Sequence, residues 1–376
     1  MTRFTLTAPR VATADAVWEP GHVTVDGDTV AELGPGLPES GAGWGPVEQV
    51  DGTILPGFVD QHVHGALGLD FVHATPEEAR RIADFHAEAG STRVVASLAT
   101  ARLPELVKAL QALAPLVDDG TLAGLHLEGP YLSPERRGAH DPALLRLPSL
   151  DELASLVEAG AGSLRMVTIA PELPGGLDAV SWLVSQGVTV ALGHSDADFN
   201  TAERAIDLGS RVATHVFNGM RPLGHREPGL VGAVLDDERV VLELILDGHH
   251  VAPPVASLVR PLASGRLALV SDAMSATGLG DGDYEVAGSP VVVTGGIARL
   301  AGGSSLAGST VTVADALVRL AAAGATLPEA VDATSAVAAR ALGLTTGLAV
   351  GSRADLVVAD AATLRVRRVL RAGRWL

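Results

Sequence analysis

Imidazoles and carboxylates recur along this chain at the ends of apolar stretches. His62 and His64 close PGFVDQHVH, and Glu128 closes LAGLHLE. His194 ends VTVALGH, His215 lies in RVATHVFN, His249 and His250 follow VVLELILDG, and Asp272 ends RLALVSD. Any one of them alone would read as a hydrogen-bonded core or surface residue, as His22, His73 and His86 do. Their joint pattern is different, because buried ionisable groups cost energy unless paired or ligated. His62 and His64 stand two apart, so on a strand they share a face. Such a set suits a divalent cation. His62, His64 and Glu128 could hold one ion, and Glu128, His194 and His215 another. Three protein ligands plus water is the pattern of an open, catalytic site. A cation there would polarise a carbonyl and bring a bound water's pKa to about 7. Asp272 could then accept the water's proton and return it to a leaving amine. By itself it would only cap the turn that follows. The chain's one lysine, Lys108, falls inside a predicted helix. That excludes a carboxylated lysine bridging two ions and leaves Glu128 as the bridging carboxylate.

Eight apolar runs must position these groups: TILPGFVDQH, STRVVASLAT, LAGLHLEG, LRMVTIAPE, VTVALGHS, RVATHVFN, VVLELILDG and RLALVSDA. Helical patterns such as TPEEARRIADFHAEAG, LPELVKALQALAPLVDD and SLDELASLVEAG separate most of them. Alternating strands and helices imply a parallel sheet, and eight repeats imply closure into a (β/α)8 barrel of the TIM type. In such a barrel, groups at strand ends meet at one face. Two more helices are expected, at about Thr310–Ala323 and Leu327–Leu342. The two termini share short strands broken by Asp-Gly and Gly-Pro pairs. They predict a small β-sandwich from residues 1–54 plus 346–376, with the barrel over 55–345.

Composition narrows the function. With 27 basic and 44 acidic residues the net charge is −17, which disfavours nucleic acid and anionic membranes as partners. Cysteine is absent, so disulfides, cysteine-ligated zinc and thiol catalysis are excluded. No apolar leader and no 18-residue apolar run occur, and a cytoplasmic location is expected. No G-x-G-x-x-G follows the first strand, so a dinucleotide fold has no support.

The blocks PGFVDQHVHG, HLEGPYLSPERRGAHDP, LGHSDA, THVFNGMRPLGHREPG, LILDGHHVAP, LVSDAMSATGLGDGDY and LAGSTVT resemble those of N-acetylglucosamine-6-phosphate deacetylases, within the amidohydrolase superfamily. The PGFVD-x-HxH block is generic to amidohydrolases; the others are more specific. The resemblance implies hydrolysis of N-acetylglucosamine 6-phosphate to glucosamine 6-phosphate and acetate. It implies Glu128, His194 and His215 as metal ligands, Asp272 as acid/base, and His140 as a contact near the scissile carbonyl. Asn218, Gly219, Leu306, Ala307 and Gly308 would contact the phosphosugar, and His250 and Arg226 the 6-phosphate. It further implies a homodimer in which Arg226 reaches the neighbouring active site. Some members carry Gln-x-Asn in place of His62 and His64 and resemble mononuclear enzymes; the two histidines here favour two ions. Position 219 is Gly where Ala is familiar, and GALGLD replaces a glycine run.

Taken bottom-up, Arg226 offers a planar fork suited to phosphate, against a surface ion pair with Glu227. His and carboxylate ligands suit zinc, iron or another transition metal, as one or two ions. The competing readings are the same chemistry on N-acetylgalactosamine 6-phosphate, another amidohydrolase activity, and a non-catalytic scaffold.

Overall fold

The computed structural model describes residues 3–36, 44–345 and 347–376. Eight parallel strands follow one another around a barrel: Val59–Val63, Arg93–Ala99, Gly124–Glu128, Leu164–Ile169, Thr189–Leu192, Val212–Ala213, Val241–Ile245 and Leu267–Val270. Each expected apolar run contributes one of them. The ring closes between its eighth and first members. There Asp272 N–H donates to the His62 carbonyl at 2.9 Å, and His64 N–H to the Ala273 carbonyl at 2.8 Å. The strands are buried on both faces, as a barrel ringed by helices requires.

The helices α1 (Pro76–Glu88), α2 (Leu103–Asp118) and α3 (Leu150–Ala159) lie where the apolar periodicity put them. Thr75 and Glu78 form a capping box at the start of α1, and Ala79, Ile82 and Ala83 face the core. Outer helices are also pinned by polar contacts. Arg266, buried just before the eighth strand, donates to the carbonyls of Val234, Leu235, Val240 and Leu262, at 2.6–3.0 Å.

Strands from both termini interleave in one six-stranded sheet, ordered Arg374–Trp375, Val366–Arg371, Leu356–Ala359, Thr53–Pro56, Arg10–Ala12, Val17–Trp18. A second sheet, ordered Thr29–Pro35, Gly21–Asp26, Arg3–Ala8, Val47–Gln49, packs on it through Leu6, Val23, Val25, Ile54, Leu356, Val358 and Leu370. Residues 1, 2, 37–43 and 346 of the expected sandwich bounds lie outside the described residues.

Three expectations need correction. TILPGFVDQH is two strands, not one. Thr53–Pro56 pairs antiparallel with Leu356–Ala359, and the barrel begins only at Val59. Gly57 makes the break: a Cβ there would lie 2.2 Å from Thr92 Oγ1, so only glycine lets the chain cross so close. The helix expected from Leu327 to Leu342 is interrupted by a π-helical segment at Asp332–Ala336, and the one expected from Thr310 begins at Val313. A three-stranded antiparallel sheet over residues 282–300 was not foreseen.

Arg266→Met should leave four carbonyls without their donor. A stability loss of roughly 3 kcal/mol is expected in urea unfolding. A loss below about 1 kcal/mol would mean that the clamp contributes little.

Candidate metal centre and active site

At the C-terminal rim of the barrel, one carboxylate faces five imidazoles. Glu128 Oε1 lies 3.0 Å from His194 Nε2, 3.0 Å from His215 Nε2 and 3.5 Å from His62 Nε2. Its Oε2 lies 3.0 Å from His64 Nε2 and 3.3 Å from His140 Nε2. Asp272 completes the group, with Oδ1 3.3 Å from His64 Nε2 and 3.6 Å from His62 Nε2. All these residues are buried. The strands explain the meeting: His62 and His64 come from the first strand end, Glu128, His194, His215 and Asp272 from four others, and His140 from the loop after Glu128, all around one axis.

Three of these residues have left-handed backbones although none is glycine: His194 at φ 47°, His215 at φ 28° and Asp272 at φ 49°. Each such conformation costs on the order of 1–3 kcal/mol and must be held by its surroundings. The His194 carbonyl accepts from Ser133 N–H at 2.8 Å. The His215 N–H donates to Glu243 Oε2 at 3.2 Å, and the Asp272 N–H to the His62 carbonyl.

The ring nitrogens facing away from the cluster decide what it can bind. His62 Nδ1 lies 3.1 Å from Glu243 Oε2, His64 Nδ1 3.1 Å from the Ser97 carbonyl, and His194 Nδ1 2.8 Å from the Arg136 carbonyl. These partners only accept, so each Nδ1 carries the proton. In the neutral ring, each Nε2 then turns a lone pair on the Glu128 carboxylate. A cation reconciles those lone pairs with the anion; without one, protons on some of the rings must. Protonating all the rings instead would stack like charges: the centroids of His194 and His215 are 4.9 Å apart, and those of His140 and His194 4.8 Å. The donor set therefore fits a divalent cation. His62, Glu128 and His215 form one group whose ligand atoms are mutually close; His62, His64 and Asp272 form a second, and Glu128, His140 and His194 a third.

With no ion bound, the cluster's charges offset one another. Burial would push the Glu128 carboxyl up, but His62 and His194 outweigh it and hold it well below the usual carboxylate range. Asp272, likewise buried, is held low by His64 and His62. Burial would push His62 down, yet Glu128 and Glu243 raise it well above its ordinary value. His140 differs: burial outweighs its contact with Glu128 and leaves it at about 4, so it is neutral at physiological pH. Its Nδ1 faces the Thr100 N–H at 3.4 Å, which leaves the proton on Nε2, pointing into the cluster.

A cleft of about 340 Å³ opens above, lined by His64, Glu128, His140, His194, His215 and Asp272, and farther out by Asn218, Gly219, His250, Leu306 and Gly308. His250 Nδ1 is 2.7 Å from Asp247 Oδ2, so its other nitrogen is left for a ligand. Asn218 spends its amide N–H groups on the carbonyls of His215 and Val216, which leaves Oδ1 to accept. Gly219 sits so close to His194 that a Cβ would lie 2.7 Å from Nδ1, so in this chain alanine there is not a small change.

Two expected site residues stand apart. Ala307 is buried and does not line the cleft; it anchors the loop between Leu306 and Gly308 by donating to the Ala298 carbonyl at 3.2 Å. Arg226 is exposed outside the cleft, in a shallow hollow with Asp198, Arg221 and Glu227, with Nη1 2.7 Å from His225 Nε2. Among the described residues it forms no ion pair with Glu227. His249 is exposed and does not line the cleft, while His22, His73 and His86 bond to Gly36, Asp70 and Gly65 as bystanders. Lys108 is exposed on α2.

Residues 53–376 match the amidohydrolase family. The chain belongs to that family. It is 37% identical over 363 residues to an N-acetylgalactosamine-6-phosphate deacetylase of Escherichia coli, covering 94% of each chain. It is 34% identical to an N-acetylglucosamine-6-phosphate deacetylase of Lysinibacillus sphaericus, covering 87% of each. Among solved structures it resembles a Mycobacterium smegmatis N-acetyl-D-glucosamine-6-phosphate deacetylase, an aspartate-to-alanine variant in complex with N-acetyl-D-glucosamine-6-phosphate. That match has 42% identity and a TM-score of 0.96, over 100% of this chain and 99% of the other.

Sequence reasoning missed several buried polar groups of this family member: Gln61, His126 and Glu243. His126 bridges Ser97 Oγ at 2.8 Å and Thr168 Oγ1 at 2.9 Å. An acid or imidazole inside an otherwise apolar strand was the available signal.

Asp247→Asn should loosen His250 and raise KM for a phosphorylated substrate. Burial would raise the Asp247 carboxyl, but His250 brings it down to about 2. A depressed carboxyl contributes stability above its unfolded pKa of about 4 and loses it as pH falls through about 2. The stability gap between wild type and variant should therefore shrink between pH 4 and 2. A gap independent of pH over that range would contradict the ion pair.

Proposed function

We propose that this amide hydrolase removes the acetyl group of N-acetylglucosamine 6-phosphate, giving glucosamine 6-phosphate and acetate. The carrying observation is the convergence of His62, His64, His194 and His215 on Glu128 with Asp272 alongside, at the floor of a cleft that also holds His250 and Asn218. We take the two units to be residues 1–54 plus 346–376 and residues 55–345.

His62, His64, Glu128, His194 and His215 would hold one or two divalent ions, with zinc or iron the best matched to this donor set. When bound, such an ion supplies Lewis acidity to water and to the acyl oxygen. The protein's own groups do the rest. Asp272, held ionised, takes the proton of the attacking water and hands it to the amine nitrogen as the C–N bond breaks. His140 aims a neutral Nε2–H where the carbonyl oxygen gains charge. Asn218 Oδ1, Gly219 and the Leu306–Gly308 loop would hold sugar hydroxyls, and His250 the phosphate.

The cleft of one subunit lacks a free cation for that phosphate. Arg136 is its one arginine among the described residues, and Asp196 holds it at 2.7 Å. Arg226 of a neighbouring subunit would supply the missing fork in a homodimer. Leu223, 52% exposed on the same loop, gives that loop an apolar contact to bury.

The E. coli relative favours a second reading, the galactosamine epimer. Comparing kcat/KM for the two N-acetylhexosamine 6-phosphates and for unphosphorylated N-acetylglucosamine decides. The phosphorylated glucosamine should win, and a chelator should abolish its turnover until metal is restored. Equal kcat/KM with and without phosphate would overturn the substrate.

Asp272→Asn should keep fold and metal yet lose kcat by on the order of 10³-fold. Wild-type turnover in the metal-loaded variant would remove Asp272 from the mechanism. Arg226→Ala and Asp272→Asn chains, mixed after separate purification and allowed to exchange subunits, should regain activity, because one site of each hybrid holds an intact Asp272 and a partner's arginine. No regain in verified hybrids would place Arg226 outside the site.

A further inference from the structure

Glu243 has no role in the chemistry above. It lies in the seventh barrel strand, wholly buried, in a stretch reading Val-Leu-Glu-Leu-Ile. A carboxylate in that position must find donors or cost several kcal/mol. It finds three, from two other strands. Oε1 accepts from Gln61 Nε2 at 2.7 Å. Oε2 accepts from His62 Nδ1 at 3.1 Å and from the His215 backbone N–H at 3.2 Å.

These are not arbitrary donors. His62 and His215 share one group of mutually close ligand atoms with Glu128, and His62 also belongs to the group with His64 and Asp272. The Glu243 carboxylate fixes His62 with a proton on Nδ1, so Nε2 is the nitrogen left to face Glu128, Asp272 and an ion. It also holds the His215 N–H, whose residue has the tightest left-handed φ of the cluster, 28°. His215 Nδ1 itself has no partner among the described residues. The backbone bond to Glu243 is therefore a principal polar restraint on that residue.

We propose that Glu243 is a positioning residue for the metal centre. It sets the tautomer and basicity of His62 and the backbone of His215, two ligands of one group around Glu128. This rests on the proposed metal-dependent function. A carboxylate behind a ligating imidazole raises the ring's basicity, and its loss commonly costs 10–100-fold in metal affinity.

Two substitutions separate charge from hydrogen bonding. In Glu243→Gln, the new amide oxygen can keep His62 and His215. Its N–H groups can meet Gln61, whose Oε1 is buried without a donor and can turn to accept them. Only the charge is lost. In Glu243→Met the acceptor is lost as well. The test is zinc binding to chelator-stripped protein, measured by competition with a chromophoric chelator, with circular dichroism to confirm the fold. Zinc dissociation constants should rise about tenfold or more in the Gln variant and further in the Met variant. Wild-type zinc affinity in a folded Gln variant would overturn the proposal, since a merely structural acceptor would be retained there. Should neither variant fold, ¹⁵N-histidine spectra of stripped wild type decide: His62 Nδ1 should carry a proton, and an Nδ1 without one would overturn the proposal. If the wild type itself bound no metal, the proposed function would fail instead.

Discussion

The whole structure answers one electrostatic demand: a carboxylate, Glu128, buried among imidazoles that turn their Nε2 atoms toward it. Left alone, neither the anion nor the lone pairs would tolerate burial. The demand propagates outward. Three of the ligand rings, His62, His64 and His194, have an acceptor behind them: a side chain (Glu243), a strand carbonyl (Ser97) and a loop carbonyl (Arg136). Beneath these rings run Ser97, His126, Thr168 and Thr214, linked by bonds of 2.8–2.9 Å. The barrel's upper interior is thus polar but nearly saturated. Its apolar packing lies between the strands and the outer helices.

Fixing that geometry carries a backbone cost. His194, His215 and Asp272 each leave their strand in a left-handed turn, which aims the side chain inward instead of onward along the strand. A free strand end could not hold such a turn. Here the turns are held by bonds from other elements: a loop N–H for His194, a buried carboxylate for His215 and the first strand for Asp272. Barrel closure and site assembly are therefore one event. The bond that brings Asp272 to the cluster also joins the eighth strand to the first.

Much of this was legible in the sequence, for definable reasons. Parallel strands buried on both faces leave long apolar runs, and a barrel puts their ends together, so His62, His64, Glu128, His194, His215 and Asp272 could be found by position alone. Glu243 and His126 were not found, because strand periodicity gives a side chain's face but not its hydrogen-bond partners on other strands. The split of TILPGFVDQH is marked by Pro56-Gly57, a turn-forming pair, but its extent turns on the tertiary approach of Gly57 to Thr92. The three-stranded sheet over residues 282–300 did leave a trace, in the alternation and paired glycines of its sequence. Arg226 is a different case: nothing within one chain can show where an exposed side chain from a surface loop ends.

The charge balance links that loop to the proposed substrate. A chain of net charge −17 repels a phosphorylated sugar at long range, so attraction has to be local. Around the cleft the arginines are already committed, with Arg136 and Arg221 both on Asp196, 2.7 Å from each guanidinium. Taking either for phosphate would strip a half-buried aspartate of its partners. His250 brings one nitrogen and is tied to Asp247 by the other. A dianion bound by this much alone would lack a counter-charge. Assembly with a second chain offers one without adding a free buried cation to the monomer, where it would cost stability until the substrate came. In the proposed homodimer, the placement of Arg226 outside the cleft would give the site its cation only when two subunits and a phosphate are present together.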